Sequence, residues 1–495
     1  VAFSSQAAKK AVRDVGLMSA PFQNDLAGRP EAGFRDWFGF EPRPLQAALD
    51  LLVANDIQNR LLIAEAETGS GKTEAALTRF FRLFSAGEVD ALYFALPTRV
   101  AACELYGRVC GYVERVFPEP VLRPRTLLAV PGYAQVDCVA VSTTLPDEGV
   151  QWDDDSNQHQ GHSFWAAEHP KRFLAATVAV GTIDQALLSI LQTRHAHLRS
   201  ACLDRCLLVV DEVHASDPYM RRLLSALLAH HVGLGGHALL LSATLGARLR
   251  TELTDPAGST ISIPDYLTAV STPYPAITAG RETPMQLAIE RSMEAKTVSF
   301  EQHGCLMHPE ALIPEIEAAL RAGARVLAVL NTVDRAVALQ RAVENSPGIS
   351  SETLFKCEGV MCPHHGRFAP ADRELLDRMV SKRLGKISPP GPLLLIGTQT
   401  LEQSLDIDAD ILITDLCPAD VLLQRVGRLH RHERLRPPGY RDPRCLVFAP
   451  EQGDLEQWLD NRGRALGVAK RVGLGSVYPD LRCLELTRRL LMERP

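Results

Sequence analysis

The chain has 495 residues, of which 46% are hydrophobic and 23% charged, and its formal net charge of −6 argues against a histone-like polycation. No apolar run approaches the roughly 20 residues of a membrane span, and the N-terminus lacks the apolar core of a signal peptide, so we expect a cytoplasmic protein of two to three domains. The eleven cysteines are scattered, several of them inside apolar runs, which argues against a disulfide framework.

Short apolar runs alternate with longer amphipathic runs from about residue 60. Runs of strand length that alternate with helices predict an α/β fold, with a parallel sheet covered by helices on both faces. A stretch rich in Pro, Thr and Gly near 250–295 interrupts the pattern and predicts a domain boundary. The pattern then resumes in the apolar runs at 325–331, 392–398, 410–416 and 444–450, which predict a second α/β sheet.

A phosphate-binding loop is predicted at 66–73, AETGSGKT, between the strand LLIAEA and the helix EAALTRFF. Its glycines let backbone amides turn towards phosphate oxygens. Lys72 would place a point charge at the β and γ phosphates, and the Thr73 hydroxyl would bind Mg²⁺. Ala66 departs from the full pattern, which has glycine there. The predicted nucleotide-binding residues of the loop are Thr68, Gly69, Ser70, Gly71, Lys72 and Thr73.

Two carboxylates follow the apolar strand CLLVVDEVH at its carboxyl end, where open α/β sheets bind ligands. We expect Asp211 to hold Mg²⁺ and Glu212 to orient and deprotonate the attacking water. His214 would link the nucleotide site to the neighbouring sheet or simply cap the turn. Together with the phosphate loop, this motif predicts a nucleotide hydrolase.

A basic segment at 424–444 contains seven arginines against one Glu and one Asp, and we expect it to contact phosphates. Within it, Gln424, Arg428 and Arg431 are spaced i, i+4 and i+7, which predicts one face of a helix. If the second sheet docks on the first across the nucleotide, these residues are arginine fingers supplied within the chain. A monomer would then suffice.

Two other polar clusters favour ordinary structural explanations. The stretch 152–165 has three consecutive aspartates, and we interpret it as a solvated surface insertion. Cys357 and Cys362 lie near His364 and His365, but the spacing is not that of a CxxC zinc site.

The ordered set PRPLQ, AETGSGKT, LPTR, VGTIDQALL, DEVH, LSATL, GTQTLEQSLDIDAD and QRVGRLHR resembles the superfamily 2 helicases of the DEAD/DEAH type. More narrowly, VGTIDQALLSILQTRHAHLR, DEVHASDPYM and TQTLEQSLDIDADILITDLCPADVLLQRVGRLHRH look like the helicase of type I CRISPR interference. The resemblance covers roughly residues 40–432. It implies two RecA-like domains with ATP and Mg²⁺ between them and single-stranded DNA across the top.

The resemblance also implies residue roles. Gln46 would recognise adenine, Asp406 would lie near the ribose, and Ser242 and Thr244 would couple hydrolysis to domain movement. The residues that would meet the DNA backbone are Thr98, Arg99, Gly181, Thr182, Thr398 and Gln399. Such contacts carry no sequence information, so the motor would move on any sequence, 3′→5′ as the family does.

The implied domains are a lead-in at 1–39, a first RecA-like domain at 40–275, a second at 276–450 and a short helical C-terminal segment at 451–495. The family's HD nuclease is not expected in this sequence, which has no adjacent His-Asp pair; it would be encoded separately, removed, lost or placed beyond Pro495. A guide-RNA surveillance complex would recruit the motor. A DEAH-type RNA helicase and an ATP-gated clamp that recruits a nuclease remain alternatives.

Overall fold

The computed structural model describes residues 6–7, 10, 18–67, 69–140, 166–167, 169–213, 218–254, 264–279, 285–288, 296–402, 405–451, 454–462 and 464–493. The chain divides into two compact units, Val1–Glu294 and Ala295–Pro495. The predicted surface insertion at 152–165 lies outside the described residues.

The first unit is built on one sheet. Its strands are β1 (Leu61–Glu65), β2 (Ala91–Leu96), β3 (Thr126–Ala129), β4 (Gln135–Val136), β5 (Val139–Ala140), β6 (Val178–Thr182), β7 (Cys206–Val210), β8 (His237–Ser242), β9 (Ala276–Ala279) and β10 (Met285–Ala288). They lie in the order β10-β9-β1-β8-β7-β2-β6-β3-β4-β5. The run from β1 to β3 in this order is parallel, and both ends of the sheet are extended by antiparallel strands.

Helices cover both faces of this sheet. They are α1 (Ala20–Ala27), α2 (Phe34–Phe38), α3 (Pro44–Leu51), α4 (Lys72–Ser85), α5 (Arg99–Val116), α6 (Ile183–Leu187), α7 (Ala196–Leu203), α8 (Pro218–Gly233), α9 (Ala247–Thr254) and α10 (Tyr266–Ser271). Leu62 of β1 packs in a cluster with Phe80 of α4, whereas Ile63 packs in a second cluster with Leu203 and Leu224. Successive side chains of a strand point to opposite faces, so a strand buried on both faces is continuously apolar.

The second unit contains a wholly parallel sheet. The strands of the second unit are β11 (Ser299–His303), β12 (Arg325–Val329), β13 (Lys356–Cys357), β14 (Val360–Met361), β15 (Leu393–Gly397), β16 (Ile411–Asp415) and β17 (Arg444–Phe448). The order in the sheet is β11-β17-β16-β12-β15, while β13 and β14 form a separate hairpin. The helices are α11 (Ile313–Arg321), α12 (Val333–Glu344), α13 (Pro370–Leu384), α14 (Ala419–Val426), α15 (Gly467–Arg471) and α16 (Leu481–Glu493).

The prediction of two α/β sheets is therefore confirmed. The division between the units falls after residue 294 rather than at 276, because β9 adds to β1 in antiparallel register and β10 adds to β9. The helical segment after residue 450 is part of the second unit, where α16 packs against β11. No helix in the described part of the chain is long and apolar enough to cross a membrane.

Candidate functional site

Five neighbouring parallel strands of the first unit, in the order β1, β8, β7, β2 and β6, carry the predicted motifs at their carboxyl ends. The phosphate loop follows β1, LSATL overlaps the end of β8, and Asp211 follows β7. LPTR follows β2, and Gly181 and Thr182 end β6. Because parallel strands end at the same edge of a sheet, the fold gathers motifs that are widely separated in sequence.

The phosphate loop has the backbone that its glycines predict. Gly69 and Gly71 have φ of +88° and +86°, a left-handed conformation that glycine adopts at little cost. α4 begins at Lys72, whose Nζ donates to the carbonyl oxygens of Ala66 at 3.0 Å and of Glu67 at 3.5 Å. Two backbone carbonyls at the start of the loop thus hold the ammonium group. Thr73, in the first turn of α4, is partly buried, and Thr68 lies outside the described residues.

Gln46 supports this loop from α3 and is 1% exposed. Its Oε1 accepts a hydrogen bond from Arg43 N at 2.8 Å, and its Nε2 donates to Gly71 O at 3.1 Å. The Arg43 guanidinium also donates to Gly69 O, a contact that the sequence did not indicate. Gln46 therefore has a structural role in holding the loop, and its recognition of adenine remains a prediction.

Asp211 and Glu212 occupy a sharp turn at the end of β7. Glu212 has φ of +50°, a conformation that costs a non-glycine residue roughly 1 kcal/mol or more, and its N–H donates to Asp211 Oδ1 at 3.0 Å. Burial, and next the charge of Glu212, raise the pKa of Asp211 to about 7, although Lys72 acts in the opposite direction. The carboxylates and the phosphate-loop lysine therefore interact electrostatically. His214 lies outside the described residues.

Ser242 and Thr244 form a compact turn beside the phosphate loop. Ser242 Oγ donates to Thr244 O at 2.8 Å, and Thr244 N donates to Ser242 Oγ at 3.2 Å. Ser242 O accepts from Ala66 N at 3.1 Å, so this turn is bonded directly to the start of the loop. The Ser242–Thr244 turn therefore contacts the phosphate loop. That these two residues couple hydrolysis to domain movement remains a prediction.

The predicted DNA-binding residues of the first unit differ in exposure. Thr98 caps α5, with Oγ1 accepting from Ala101 N at 3.2 Å, and Arg99 beside it is exposed. Thr182 is only 4% exposed, and its carbonyl accepts from Tyr93 Oη at 2.8 Å. A Cβ at Gly181 would lie 2.6 Å from Tyr93 Oη, so close strand packing explains this glycine. Arg99 is the residue here whose side chain lies open to solvent.

In the second unit, Thr398 and Gln399 follow β15. Thr398 is 2% exposed, and Gln399 Nε2 donates to Asn331 O at 2.6 Å. Asp406 is held by its neighbours, since Oδ1 accepts from His432 Nε2 at 2.7 Å and pairs with Arg431 Nε at 3.3 Å. Contact with DNA and ribose stays a prediction for these residues.

The expectation that Gln424, Arg428 and Arg431 share one helical face is wrong. α14 ends at Val426 and Gly427 caps it, so both arginines lie beyond the helix. The chain turns away there because Leu429 forms a parallel bridge with Ala409, whose carbonyl accepts from His430 N at 2.9 Å. Gln424 is partly buried within α14.

The two predicted finger residues have different surroundings. Arg428 is 7% exposed, and its Nη2 donates to Glu402 O at 2.6 Å. The Arg431 side chain is 25% exposed and pairs with Asp406. Arg431 is therefore the more accessible of the two to an anion.

The basic segment 424–444 is largely neutralised within the second unit. Arg434 pairs with Asp408 at 2.8 Å, and Arg436 pairs with Asp408 at 2.8 Å and with Asp410 at 2.7 Å. The acidic run 406–410 thus supplies counter-charges to these two partly buried arginines, and contact of the segment with phosphates remains a prediction.

Arg425 was missed by the sequence reasoning, although it lies between two predicted residues. It is 0% exposed, and its guanidinium bonds to Glu402 Oε1 at 2.6 Å, to Thr414 Oγ1 at 2.5 Å and to Asn331 Oδ1 at 3.0 Å. Tyr478 Oη accepts a further bond at 3.1 Å. This network joins α14 to the loop after β15 and to the C-terminal segment.

Metal binding by protein groups alone finds no support, since no three His, Cys, Asp or Glu side chains converge among the described residues. Mg²⁺ does not need such a cluster, because it keeps several waters and binds one or two carboxylates plus substrate phosphates. Asp211 and Thr73 fit that ligand set, with the carboxylate near Lys72 at the phosphate loop.

Comparison with known proteins gives one consistent family. A family model described as CRISPR-associated nuclease/helicase Cas3, C-terminal, matches residues 322–434. The CRISPR-associated endonuclease/helicase Cas3 of Escherichia coli (strain K12) is 33% identical over 423 residues, which are 83% of this chain and 45% of the relative.

Solved structures agree with this family. T. fusca Cas3 with AMPPNP matches with a TM-score of 0.74 and 27% identity, covering 94% of this chain and 51% of that chain. A CRISPR RNA-guided surveillance complex in a pre-nicking state has a chain that matches with a TM-score of 0.65 and 26% identity, covering 94% of this chain and 49% of that chain. This chain spans about half the length of the relatives that it matches.

Proposed function

This chain belongs to the Cas3 family of CRISPR-associated helicases, and we propose that it uses ATP hydrolysis to move 3′→5′ along single-stranded DNA. One observation carries the proposal: the phosphate loop, the Ser242–Thr244 turn and the Asp211–Glu212 pair lie at the carboxyl ends of three adjacent strands, while Thr98 follows the next strand and Thr182 ends the one after it. One part of this sheet edge would therefore bind the nucleotide, and the part that carries Thr98 and Thr182 would bind the DNA.

The spacing of these strands suits the chemistry. Neighbouring strands lie about 4.8 Å apart, so the ends of β1 and β7 are separated by roughly 10 Å, with β8 between them. A triphosphate seated on the loop would then have its terminal phosphate within reach of the two carboxylates. A change at that phosphate would be felt at the Ser242–Thr244 turn, which bonds to the loop.

In the proposed reaction, Lys72 exchanges its bonds with Ala66 O and Glu67 O for bonds with the β and γ phosphates. Glu212 orients and deprotonates the attacking water. Mg²⁺, held by Thr73 and Asp211, would neutralise phosphate charge. Arg428 and Arg431 remain the proposed source of positive charge for the transition state, with Gln424 beside them, and Gln46 and Asp406 the proposed contacts of adenine and ribose.

The DNA side of the proposal rests on backbone contacts. Arg99 is exposed next to the α5 cap, and guanidinium groups bind phosphates without reading bases. Gly181, Thr398 and Gln399 would supply further contacts after rearrangement. Sequence selection would come from a guide-RNA surveillance complex, which is the setting in which one structural relative was solved. An HD nuclease, on a separate chain or further along a longer one, would cut the exposed strand.

Strand displacement tests the proposal directly. With ATP and Mg²⁺, the protein should separate a DNA duplex that has a 3′ single-stranded tail, and it should leave a 5′-tailed duplex and the matching RNA duplexes intact. Lys72→Ala is the matched control and should separate none. Equal displacement of the RNA duplex would favour an RNA helicase, and ATP-dependent binding without displacement would favour a clamp.

A further inference from the structure

A group of basic side chains in the first unit has no role in the proposed reaction. It comprises His169 and Lys171, at the start of the 3-10 helix Pro170–Ala175, and Arg194, His195 and His197, at the start of α7. We call these five residues the basic surface. Within the described part of the chain none of the five takes part in an ion pair, and all except the partly buried Lys171 are exposed.

The basic surface lies over one face of the sheet rather than at the strand ends. The 3-10 helix packs against α7, and both bury apolar side chains, Phe173 and Leu203 among them, in the core cluster on that face. Their polar residues therefore point outward. Two segments separated by some twenty residues of sequence thus lie side by side, and the charges of His169 and Lys171 act on His195 at the start of α7.

The backbone beneath these charges is fixed by hydrogen bonds. Arg199 is 8% exposed, and its Nη1 donates to Arg194 O at 3.2 Å, which holds the loop before α7. His195 has φ of +64°, a conformation that most side chains avoid. His169 Nδ1 accepts from Lys171 N at 3.3 Å, which fixes the start of the 3-10 helix.

The charges of this surface repel one another. The His195 imidazole is exposed, yet partial desolvation, and next the charges of Lys171 and Arg199, lower its pKa, and His197 and His169 act in the same direction. Among the residues that the structure describes, no carboxylate pairs with these groups, and positive charges that lie close together are stabilised when an anion binds among them. The surface therefore favours a polyanion over a neutral or cationic ligand.

We propose that the basic surface binds the phosphate backbone of single-stranded DNA, as a second contact apart from the strand-end residues. Lys171 and Arg194 would bind phosphates, and the imidazoles would donate hydrogen bonds to phosphates or stack on exposed bases, which a single strand presents and an acidic protein does not. The identification of the ligand as DNA rests on the proposed function, whereas the anion site itself is inferred from the charges of the basic surface.

The test measures the binding of fluorescent single-stranded DNA by anisotropy at several salt concentrations. In Lys171→Gln/Arg194→Gln, the affinity should fall several-fold, and the negative slope of log K against log salt should become less steep by about 1.4, roughly 0.7 for each lost phosphate contact. The charge-preserving variant Lys171→Arg/Arg194→Lys should keep the affinity and the slope of the parent. Arg35→Gln/Arg321→Gln, which removes exposed arginines that are paired with Glu41 and Glu317, should also match the parent.

Three other results would overturn the proposal. The first is a double glutamine variant that binds DNA with the affinity and slope of the parent. The second is a double glutamine variant that binds DNA like the parent but no longer binds a purified surveillance complex. That result would make the surface a protein docking site. The third is a parent chain that binds no single-stranded DNA, and only that result would also reject the proposed function.

Discussion

His364 Nδ1 lies 2.7 Å from Thr400 Oγ1 in the second unit, and the His364 side chain is fully buried. The other ring nitrogen, Nε2, lies 2.6 Å from Asp377 Oδ1 on α13. The backbone N–H of Thr398 also donates to His364 O at 3.0 Å. The hydroxyl of the partly buried Thr400, the buried imidazole and the buried carboxylate thus fix the turn that contains two predicted DNA contacts, Thr398 and Gln399.

This relationship predicts the effect of removing one hydroxyl. Thr400→Val keeps the shape of the side chain but leaves His364 Nδ1 buried without its partner, which should cost about 1–3 kcal/mol of unfolding free energy. It should also raise the concentration of single-stranded DNA needed to stimulate ATP hydrolysis. Thr400→Ser keeps the hydroxyl and is the control. Calorimetry and a DNA titration of the ATPase rate give the two readouts; equal behaviour of the two variants would contradict the positioning role.

A second prediction concerns the buried ion pair of Arg425 and Glu402. Glu402→Gln leaves a fully buried guanidinium without its counter-charge, and breaking such a pair costs roughly 3–5 kcal/mol. Tyr478→Phe removes a neutral partner of the same guanidinium and should cost only about 0.5–1.5 kcal/mol. The melting transition of the second unit should therefore fall much further for Glu402→Gln. Equal shifts in calorimetry would show that the pair does not organise the network.

The two phosphate-loop glycines offer a matched comparison. A Cβ at Gly71 would lie 2.0 Å from Gln46 Nε2, whereas nothing lies within 4 Å of a Cβ at Gly69, and both residues have positive φ. Gly69→Ala should therefore suffer backbone strain alone, about 1 kcal/mol. Gly71→Ala should in addition displace Gln46 and lose most nucleotide binding. Titration with a fluorescent ATP analogue checks this, and equal affinities would contradict the role of Gln46 as a support for the loop.

A pH dependence of stability is expected from His237 at the start of β8. Burial is the main cause, and nearby Arg79 and Arg60 contribute, so that the pKa falls from the ordinary 6.5 to about 4. Between these values the unfolded chain binds a proton that the folded chain excludes. The contribution of this group to stability is therefore complete above pH 6.5 and declines as the pH falls towards 4.

Thermal unfolding of the parent and of His237→Gln over this range gives the measurement. The parent should lose more stability than the variant, by on the order of 2 kcal/mol, because the variant has no imidazole to protonate. Carboxylates that lie away from His237 affect both proteins equally, so their effects cancel in the difference; the exception is Glu88, whose Oε2 lies 3.8 Å from His237 Nε2. Parallel curves would show that His237 is not responsible.

The positions of the strand-end motifs were predictable from sequence because each motif follows a β-strand that is buried on both faces. Such a strand is a continuous apolar run, which is easily recognised in the sequence. The turn after α14 was not predictable, because the spacing of Gln424, Arg428 and Arg431 fits a helix and only the distant Ala409 shows why the chain leaves it. The neutralised arginines were missed for a related reason. Their partners Asp408 and Asp410 lie more than twenty residues earlier, so local charge counts could not reveal the pairing.

ATP hydrolysis with Mg²⁺, measured without nucleic acid and with single-stranded DNA, duplex DNA or single-stranded RNA, tests directly whether this chain is a DNA-dependent motor. Lys72→Ala and Glu212→Gln are the controls, since one lacks the phosphate-loop charge and the other the base for water. For a DNA motor we expect strong stimulation of the parent chain by single-stranded DNA alone, and none in either variant. Hydrolysis that RNA stimulates equally, or that no nucleic acid changes, would contradict this expectation.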